Sequence, residues 1–144
     1  LNHQGVEKVT MVDIDEELVK ICADLLSEWC GKVYDDPRLT TVYQDAGIFV
    51  PQDKSRYNLI VWDLVDPHRW DTKDPTAASG LYTQDFLSSI KDHLSENGIL
   101  SIEYAHRNRH EMSNLLKDWR KIARRHIYIP SFDEKWTFAL MGRK

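Results

Sequence analysis

The sequence predicts an α/β fold with a mostly parallel sheet and an antiparallel C-terminal edge. Three observations lead there. Short apolar runs alternate with segments whose apolar residues recur at helical spacing. The run Tyr57-Asn58-Leu59-Ile60-Val61-Trp62 stops abruptly at Asp63, as a strand buried on both faces of a parallel sheet would. The last two strand-like segments flank the turn Pro130-Ser131-Phe132-Asp133-Glu134, which suits an antiparallel pair.

Residues 6–14 read as a strand centred on Val9-Thr10-Met11-Val12. Asp15 is placed to cap the helix that follows, and Glu16 and Glu17 suit its positive N-terminal end. Leu18, Ile21, Cys22, Leu25, Leu26 and Trp29 form one apolar stripe, so Trp29 is expected in the core; Gly31 is a stop signal. After the turn Asp36-Pro37-Arg38, residues 39–43 read as a short strand ending at Gln44-Asp45. Residues 57–63 are the next strand, and residues 66–80 form a long loop rich in Pro, Asp, Thr, Ala and Ser. Phe86, Leu87, Ile90 and Leu94 mark a helix, and Asn97-Gly98 turns the chain into a strand over 99–104. Met112, Leu115, Leu116, Trp119 and Ala123 mark the last helix, with Trp119 in the core. Its solvated face carries Arg120, Lys121, Arg124 and Arg125. Residues 126–129 and 136–141 are the final strands. No repeat or linker divides the chain, and 144 residues suffice for one domain and its core.

A chain that is 42% hydrophobic and 29% charged is globular rather than disordered. Its net charge of -4 argues against nucleic acid as a partner, because phosphate binding needs a clustered basic face. No apolar run approaches a membrane span, and no signal peptide is visible. Cys22 and Cys30 have no metal-type spacing and suggest no disulfide framework, so a reducing cytoplasm is the default compartment. His106 and His110 are spaced i, i+4 but lack a third ligand in pattern, so no metal is expected. The chain starts at Leu1, in what reads as the middle of a fold, and a fragment is expected.

Three successive strands each end in an acid: Asp13, Asp45 and Asp63, with Asp66 three residues further on. In open α/β sheets ligands bind beyond the carboxyl ends of the strands. An acid after the first strand can accept from both ribose hydroxyls of a nucleoside. A carboxylate at Asp45 beside the small Ala46 can accept from an adenine amino group while the ring approaches. Two carboxylates at Asp63 and Asp66 suit a cationic substrate, or a base beside an anchor. Taken alone, Asp45 before Gly47 reads as well as a turn former, and a lone Asp before Pro67 reads better as one. Three at one sheet edge make a pocket the better explanation.

The element order resembles the class I methyltransferase-type Rossmann-like fold started at its second strand, with the N-terminal strand and its Gly-rich loop missing. Within that fold the chain resembles the polyamine aminopropyltransferases, the spermidine synthase family. The motifs that carry the resemblance run in family order. They are Glu7-Lys8-Val9-Thr10-Met11-Val12-Asp13-Ile14-Asp15, Asp36-Pro37-Arg38-Leu39, Asp45-Ala46 and Asp63-Leu64-Val65-Asp66-Pro67, then Leu81-Tyr82-Thr83, Asn97-Gly98-Ile99-Leu100, and Ile129-Pro130-Ser131-Phe132 with Trp136. The Asp63–Pro67 form is similar to a subgroup whose synthase domain follows membrane-spanning segments, which would tether the domain.

The resemblance implies a single catalytic domain over residues 1–144, N-terminally incomplete, and a role for each motif residue. Asp13 would hold the ribose of decarboxylated S-adenosylmethionine or of the product methylthioadenosine. Ile14 would line the same site, Asp45 and Ala46 would hold the adenine, and Leu64 would complete the cofactor set. Asp63 would be the general base. Asp66, Tyr82 and Glu103 would bind the polyamine. No metal is implied, since a sulfonium supplies its own leaving group. A homo-oligomer through an N-terminal region is a further implication.

Two departures bear on substrate choice. The family usually carries Gln where this chain has Glu103; a third carboxylate would favour a longer or more highly charged amine, unless Glu103 pairs with Arg107. The loop His68-Arg69-Trp70-Asp71-Thr72-Lys73-Asp74-Pro75 is longer than in typical soluble members, in a region that gates the family's site. Two other readings remain: an S-adenosylmethionine-dependent methyltransferase of the same fold, and a non-catalytic synthase-like domain.

Overall fold

The computed structural model describes residues 1–64, 79–105 and 108–144. They form two compact units, Leu1–Gln52 and Asp53–Lys144. Most of the loop expected over residues 66–80 lies outside the described residues.

In the first unit, β1 (Val9–Asp13) and β2 (Leu39–Tyr43) pair in parallel, from Val9 opposite Leu39 to Asp13 opposite Tyr43. A parallel pair needs a long crossover, here α1 (Glu16–Leu25), α2 (Ser27–Cys30) and a 3₁₀ turn over Val33–Asp35. Asp15 caps α1 as expected, its Oδ1 accepting the Leu18 N–H at 2.9 Å. Glu16 and Glu17 sit in the first turn, and Glu16 pairs with Lys20 at 2.8 Å on the exposed face. Gly31 ends α2 at φ 60, a conformation glycine adopts without strain. The apolar stripe fares differently. Val19 is the buried residue of α1, whereas Leu18, Ile21, Leu25 and Leu26 are exposed within this chain and Trp29 is 88% exposed. Trp29 is therefore not a core residue here. Periodicity registers that an apolar stripe exists, and nothing in the described residues covers this one.

Arg38 clamps the start of β2. Its Nε and Nη2 grip Asp36 Oδ1 and Oδ2 at 3.0 and 2.7 Å, and its other donors reach the Val6 and Leu1 carbonyls at 3.0 and 2.8 Å. The Arg38 guanidinium and backbone N–H hold the Asp36 carboxyl down to about 2. A carboxyl lowered on folding adds stability above its ordinary value near ~4, and that contribution is lost as pH falls from there to about 2. The helix α3 (Ala46–Gln52) is not foreseen in the sequence, because Gly47 and Pro51 both disfavour helix. Asp45 starts it nonetheless, its carbonyl accepting the Ile48 and Phe49 N–H groups at 2.9 Å.

In the second unit, β3 (Tyr57–Trp62), β4 (Leu94–Ala105), β5 (Arg120–Ile129) and β6 (Glu134–Gly142) form a sheet in the order β3-β4-β6-β5. β3 and β4 run parallel; β6 is antiparallel to both its neighbours, as the turn at 130–134 predicts. Among the described residues two strand pairs are parallel and two antiparallel, in two sheets. The pairing is thus mixed rather than mostly parallel.

The helix α4 (Gln84–His93) is capped by Thr83 Oγ1, which accepts the Phe86 N–H at 3.2 Å, and it buries Phe86, Leu87 and Ile90. Leu87, Leu94, Leu100, Ile102 and Met112 are fully buried, each contributing roughly 1.5–3 kcal/mol through burial. β3 is not covered on both faces as its composition suggests: Trp62 is buried, while Leu59 and Val61 are exposed, as are Phe138 and Leu140 on β6. The last helix is also shorter than expected. α5 (Arg109–Leu115) stops before Trp119, which is buried as expected, and the chain becomes β5 from Arg120. Arg120, Lys121, Arg124 and Arg125 therefore lie on an edge strand rather than a helix face, where charge discourages further strand pairing. Among the described residues no helix is long and apolar enough to cross a membrane.

Gly98 lies inside β4 rather than in a turn before it. A Cβ there would stand 2.9 Å from the Tyr57 carbonyl oxygen and 3.0 Å from the Ser95 backbone N and O. A Cβ at Gly142 would instead meet the end of the Arg120 side chain at 2.8 Å. Backbone cannot move aside cheaply and a long side chain can. We expect Gly98→Ala to cost ~1–3 kcal/mol of stability, the scale of overpacking, and Gly142→Ala to cost clearly less. Urea denaturation of both variants checks this, and equal losses would contradict it.

Candidate active site

Asp13 and Asp45 follow two adjacent parallel strands of the first unit. Asp13 closes β1, and the Gln44 N–H donates to its carbonyl at 3.0 Å, so the chain leaving β2 passes directly beside it. Each carboxylate spends one oxygen on its own turn. Asp13 Oδ1 accepts the Asp15 N–H at 2.8 Å, and Asp45 Oδ1 accepts the Gly47 N–H at 2.7 Å. The turn-former and ligand roles are thus compatible, because Oδ2 of each acid forms no hydrogen bond among the described residues. Both acids are half-buried, Ala46 presents only a methyl group, and Ile14 is 66% exposed beside Asp13. Tyr34 stands near this edge: burial, then Cys30 and Cys22, with Tyr43 and Asp13, push its phenol up. An edge with paired acceptors, a small residue and an apolar side chain suits a nucleoside.

The second unit places its own acid by packing. Trp62, 4% exposed, ends β3 against Tyr82 and Phe86, with ring centroids 5.4 and 5.5 Å away. The Tyr82 hydroxyl donates to the Leu64 carbonyl at 3.3 Å. The segment on either side of Asp63 is therefore held, and Asp63 itself is exposed. Trp62 is the last paired residue of β3, opposite Ile102, and the residues that directly follow this pair are Asp63 and Glu103. Glu103 is half-buried and pairs on its other side with Phe138 of β6. The structure thus brings Asp63, Leu64, Tyr82 and Glu103 to one end of one sheet. Asp66, His106 and Arg107 lie outside the described residues.

Several groups at this end are not apparent from motif reading. Trp62 Nε1 is buried without a hydrogen-bond partner among the described residues, as are Asn108 Nδ2 and Glu111 Oε2 at the start of α5. The signal for Trp62 was its place as the last apolar residue before an acid. Asn108 and Glu111 carry only the i, i+3 spacing of a helix start. Among the described residues no three metal-ligating side chains cluster, and His110 is exposed.

The model of the spermine/spermidine synthase domain matches residues 1–144, the whole chain. A polyamine aminopropyltransferase of Aeropyrum pernix is 29% identical over 97% of this chain and 45% of its own length. Polyamine aminopropyltransferase 2 of Pseudomonas aeruginosa is 30% identical over 97% of this chain and 41% of its own. Among solved structures, spermidine synthase from Thermotoga maritima superposes with a TM-score of 0.70 at 23% identity, over 99% of this chain and 48% of that one. Human methyltransferase-like protein 13 in complex with SAH gives 0.63 at 13% identity, over 95% of this chain and 61% of that one. The Rossmann-like fold is common to both. The chain spans about half the length of the curated relatives it matches.

The geometry at the ends of β1 and β2 generates a direct expectation. Asp13→Ala should weaken methylthioadenosine binding by ~1.5–3 kcal/mol, the scale of hydrogen bonds to a charged group. Calorimetric titration measures it, and an unchanged affinity would remove Asp13 from ribose binding.

Proposed function

The chain belongs to the spermine/spermidine synthase family, and from that premise we propose that it transfers an aminopropyl group from decarboxylated S-adenosylmethionine to a putrescine-like polyamine. The products are a spermidine-like amine and methylthioadenosine. The observation that carries this reading is the family match over the whole chain, joined to acids at the strand ends. We read residues 1–144 as one catalytic domain.

The chemistry explains the residue types. A free alkylamine has a pKa near ~10, so at neutral pH it is mostly protonated and not nucleophilic. Asp63 takes the proton. The freed lone pair attacks the propyl carbon next to the sulfonium, the carbon–sulfur bond breaks, and its electrons leave sulfur as a neutral thioether. Such base catalysis is typically worth ~10²–10⁴-fold. Asp66, Tyr82 and Glu103 orient the cationic chain, because alignment of nucleophile with leaving group also lowers the barrier. In the first unit, Asp13, Ile14, Asp45 and Ala46 take the nucleoside. Their free carboxylate oxygens and small or apolar side chains fit ribose hydroxyls, an adenine amino group and the ring.

The competing reading is methyl transfer from S-adenosylmethionine on the same fold. Asp13 and Asp45 would serve it equally. An exposed acid directly after the last pair of β3, with a second acid directly after that pair on the neighbouring strand, favours a cationic amine instead.

Two variants test the assignment together, each assayed with putrescine and with spermidine. Asp63→Asn should lower kcat by ~10²–10⁴ with both amines while leaving methylthioadenosine affinity nearly intact; near-normal kcat would remove Asp63 from the base role. Glu103→Gln should move kcat/KM toward the shorter diamine by about tenfold, or ~1.4 kcal/mol. Equal loss with both amines would make Glu103 part of a structural ion pair.

A further inference from the structure

A second polar site lies at the other end of the four-stranded sheet, where β3 and β4 begin and β6 ends. A pocket of about 620 Å³ opens there, lined by Arg56, Leu94, Ser95, Glu96, Arg143 and Lys144. Asp63 is separated from Arg56 by the length of β3, roughly 20 Å at ~3.3 Å per residue.

The cations in this pocket are held by backbone carbonyls, with no carboxylate paired to them among the described residues. Arg56 and Arg143 both donate through Nη1 to the Leu94 carbonyl, at 3.3 and 3.0 Å, so their guanidinium groups stand within two hydrogen-bond lengths of each other. Arg56 Nη1 also donates to the Asp92 carbonyl, and Lys144 Nζ donates to the Lys117 carbonyl at 2.7 Å. Every one of these acceptors is a neutral carbonyl. Among the described residues none of the three cations pairs with a carboxylate, Glu96 included. Like charges gathered this way repel, and the carbonyls fix the side chains while leaving further N–H groups of each planar fork unused.

We propose that this pocket binds a phosphate-bearing small molecule. Two guanidinium forks that meet at one carbonyl offer several donors to one tetrahedral oxyanion, the geometry in which arginine is strongest, and Lys144 adds positive charge to the same lining. Ser95 adds another. Its Oγ accepts from Asn58 Nδ2 at 3.2 Å, which leaves the hydroxyl proton to donate. Glu96 in the lining offsets part of the positive field, so a multiply charged phosphate gains where a single carboxylate does not. The volume lies within the range of small-molecule sites and admits a nucleotide as well as an inorganic ion.

The test is calorimetric titration of the full chain with inorganic pyrophosphate at fixed ionic strength, with sodium chloride as the control and ATP as a second arm. One saturable site is expected, with Arg143→Gln and Lys144→Gln each weakening it at least fivefold and Glu96→Gln tightening it. If the ligand is a nucleotide, ATP binds more tightly than pyrophosphate and competes with it; if it is an inorganic ion, pyrophosphate binds at least as tightly. Urea midpoints in phosphate-free buffer verify that the variants fold. Should Arg143→Gln lose stability, Lys144→Gln carries the comparison. Heats that do not saturate, or that chloride reproduces at equal ionic strength, would overturn the proposal. So would affinities unchanged in both cation variants.

Discussion

The parallel register between β3 and β4 is the constraint on which the proposed chemistry depends. It sets Trp62 opposite Ile102, both buried, and so fixes where the apolar strand ends. Strand side chains alternate between faces with a period of two. Once Trp62 is committed to the core against Tyr82 and Phe86, the next residue cannot follow it inward. Asp63 is exposed as a consequence of packing, and on β4 Glu103 directly follows Ile102, the partner of Trp62. A slip of one residue would exchange the two faces and bury the acid. The aromatic contacts around Trp62 therefore serve the proposed base as well as stability.

The first unit solves a related problem with a shorter sheet. Two five-residue strands bury little, and Val19 is the only buried residue of α1. Order at both ends of its sheet comes from polar contacts instead. Asp13, Asp15 and Asp45 each bind a backbone N–H two or three residues on, and Arg38 ties the N-terminal segment to β2 through Asp36, Val6 and Leu1. These turns hold the carboxylates of Asp13 and Asp45 in place while consuming one oxygen apiece. A residue serving its own turn in this way is pre-oriented for a ligand at little further entropic cost.

Local signals were legible in the sequence wherever one residue's chemistry decides the outcome. The Asp15 cap, the Gly31 stop, the limits of β2 and the antiparallel pair around residues 130–134 follow from capping, glycine conformation, alternation and turn chemistry. Tertiary context decided the rest. The spacing of Met112, Leu116 and Trp119 is helical, but pairing with β6 claims the chain from Arg120, and strand pairing overrides a short helical repeat. Gly98 looks like a turn residue because the Tyr57 carbonyl, its reason for being glycine, is distant in sequence. The exposed stripe of α1 and the exposed Leu59 and Val61 show the limit of periodicity, which identifies an apolar face without saying what covers it. For the site, the strand-end positions of Asp13, Asp45 and Asp63 were readable. The packing that exposes Asp63 was not, because Tyr82 and Phe86 reach Trp62 across some twenty residues of chain.

The most direct measurement is product analysis with the two sulfonium donors. The protein is incubated with decarboxylated S-adenosylmethionine and putrescine, and separately with intact S-adenosylmethionine and the same amine, and the nucleoside products are separated chromatographically. Aminopropyl transfer predicts methylthioadenosine and spermidine in equal amounts from the decarboxylated donor, and no S-adenosylhomocysteine from the intact one. S-adenosylhomocysteine with a methylated amine, and no methylthioadenosine, would contradict it.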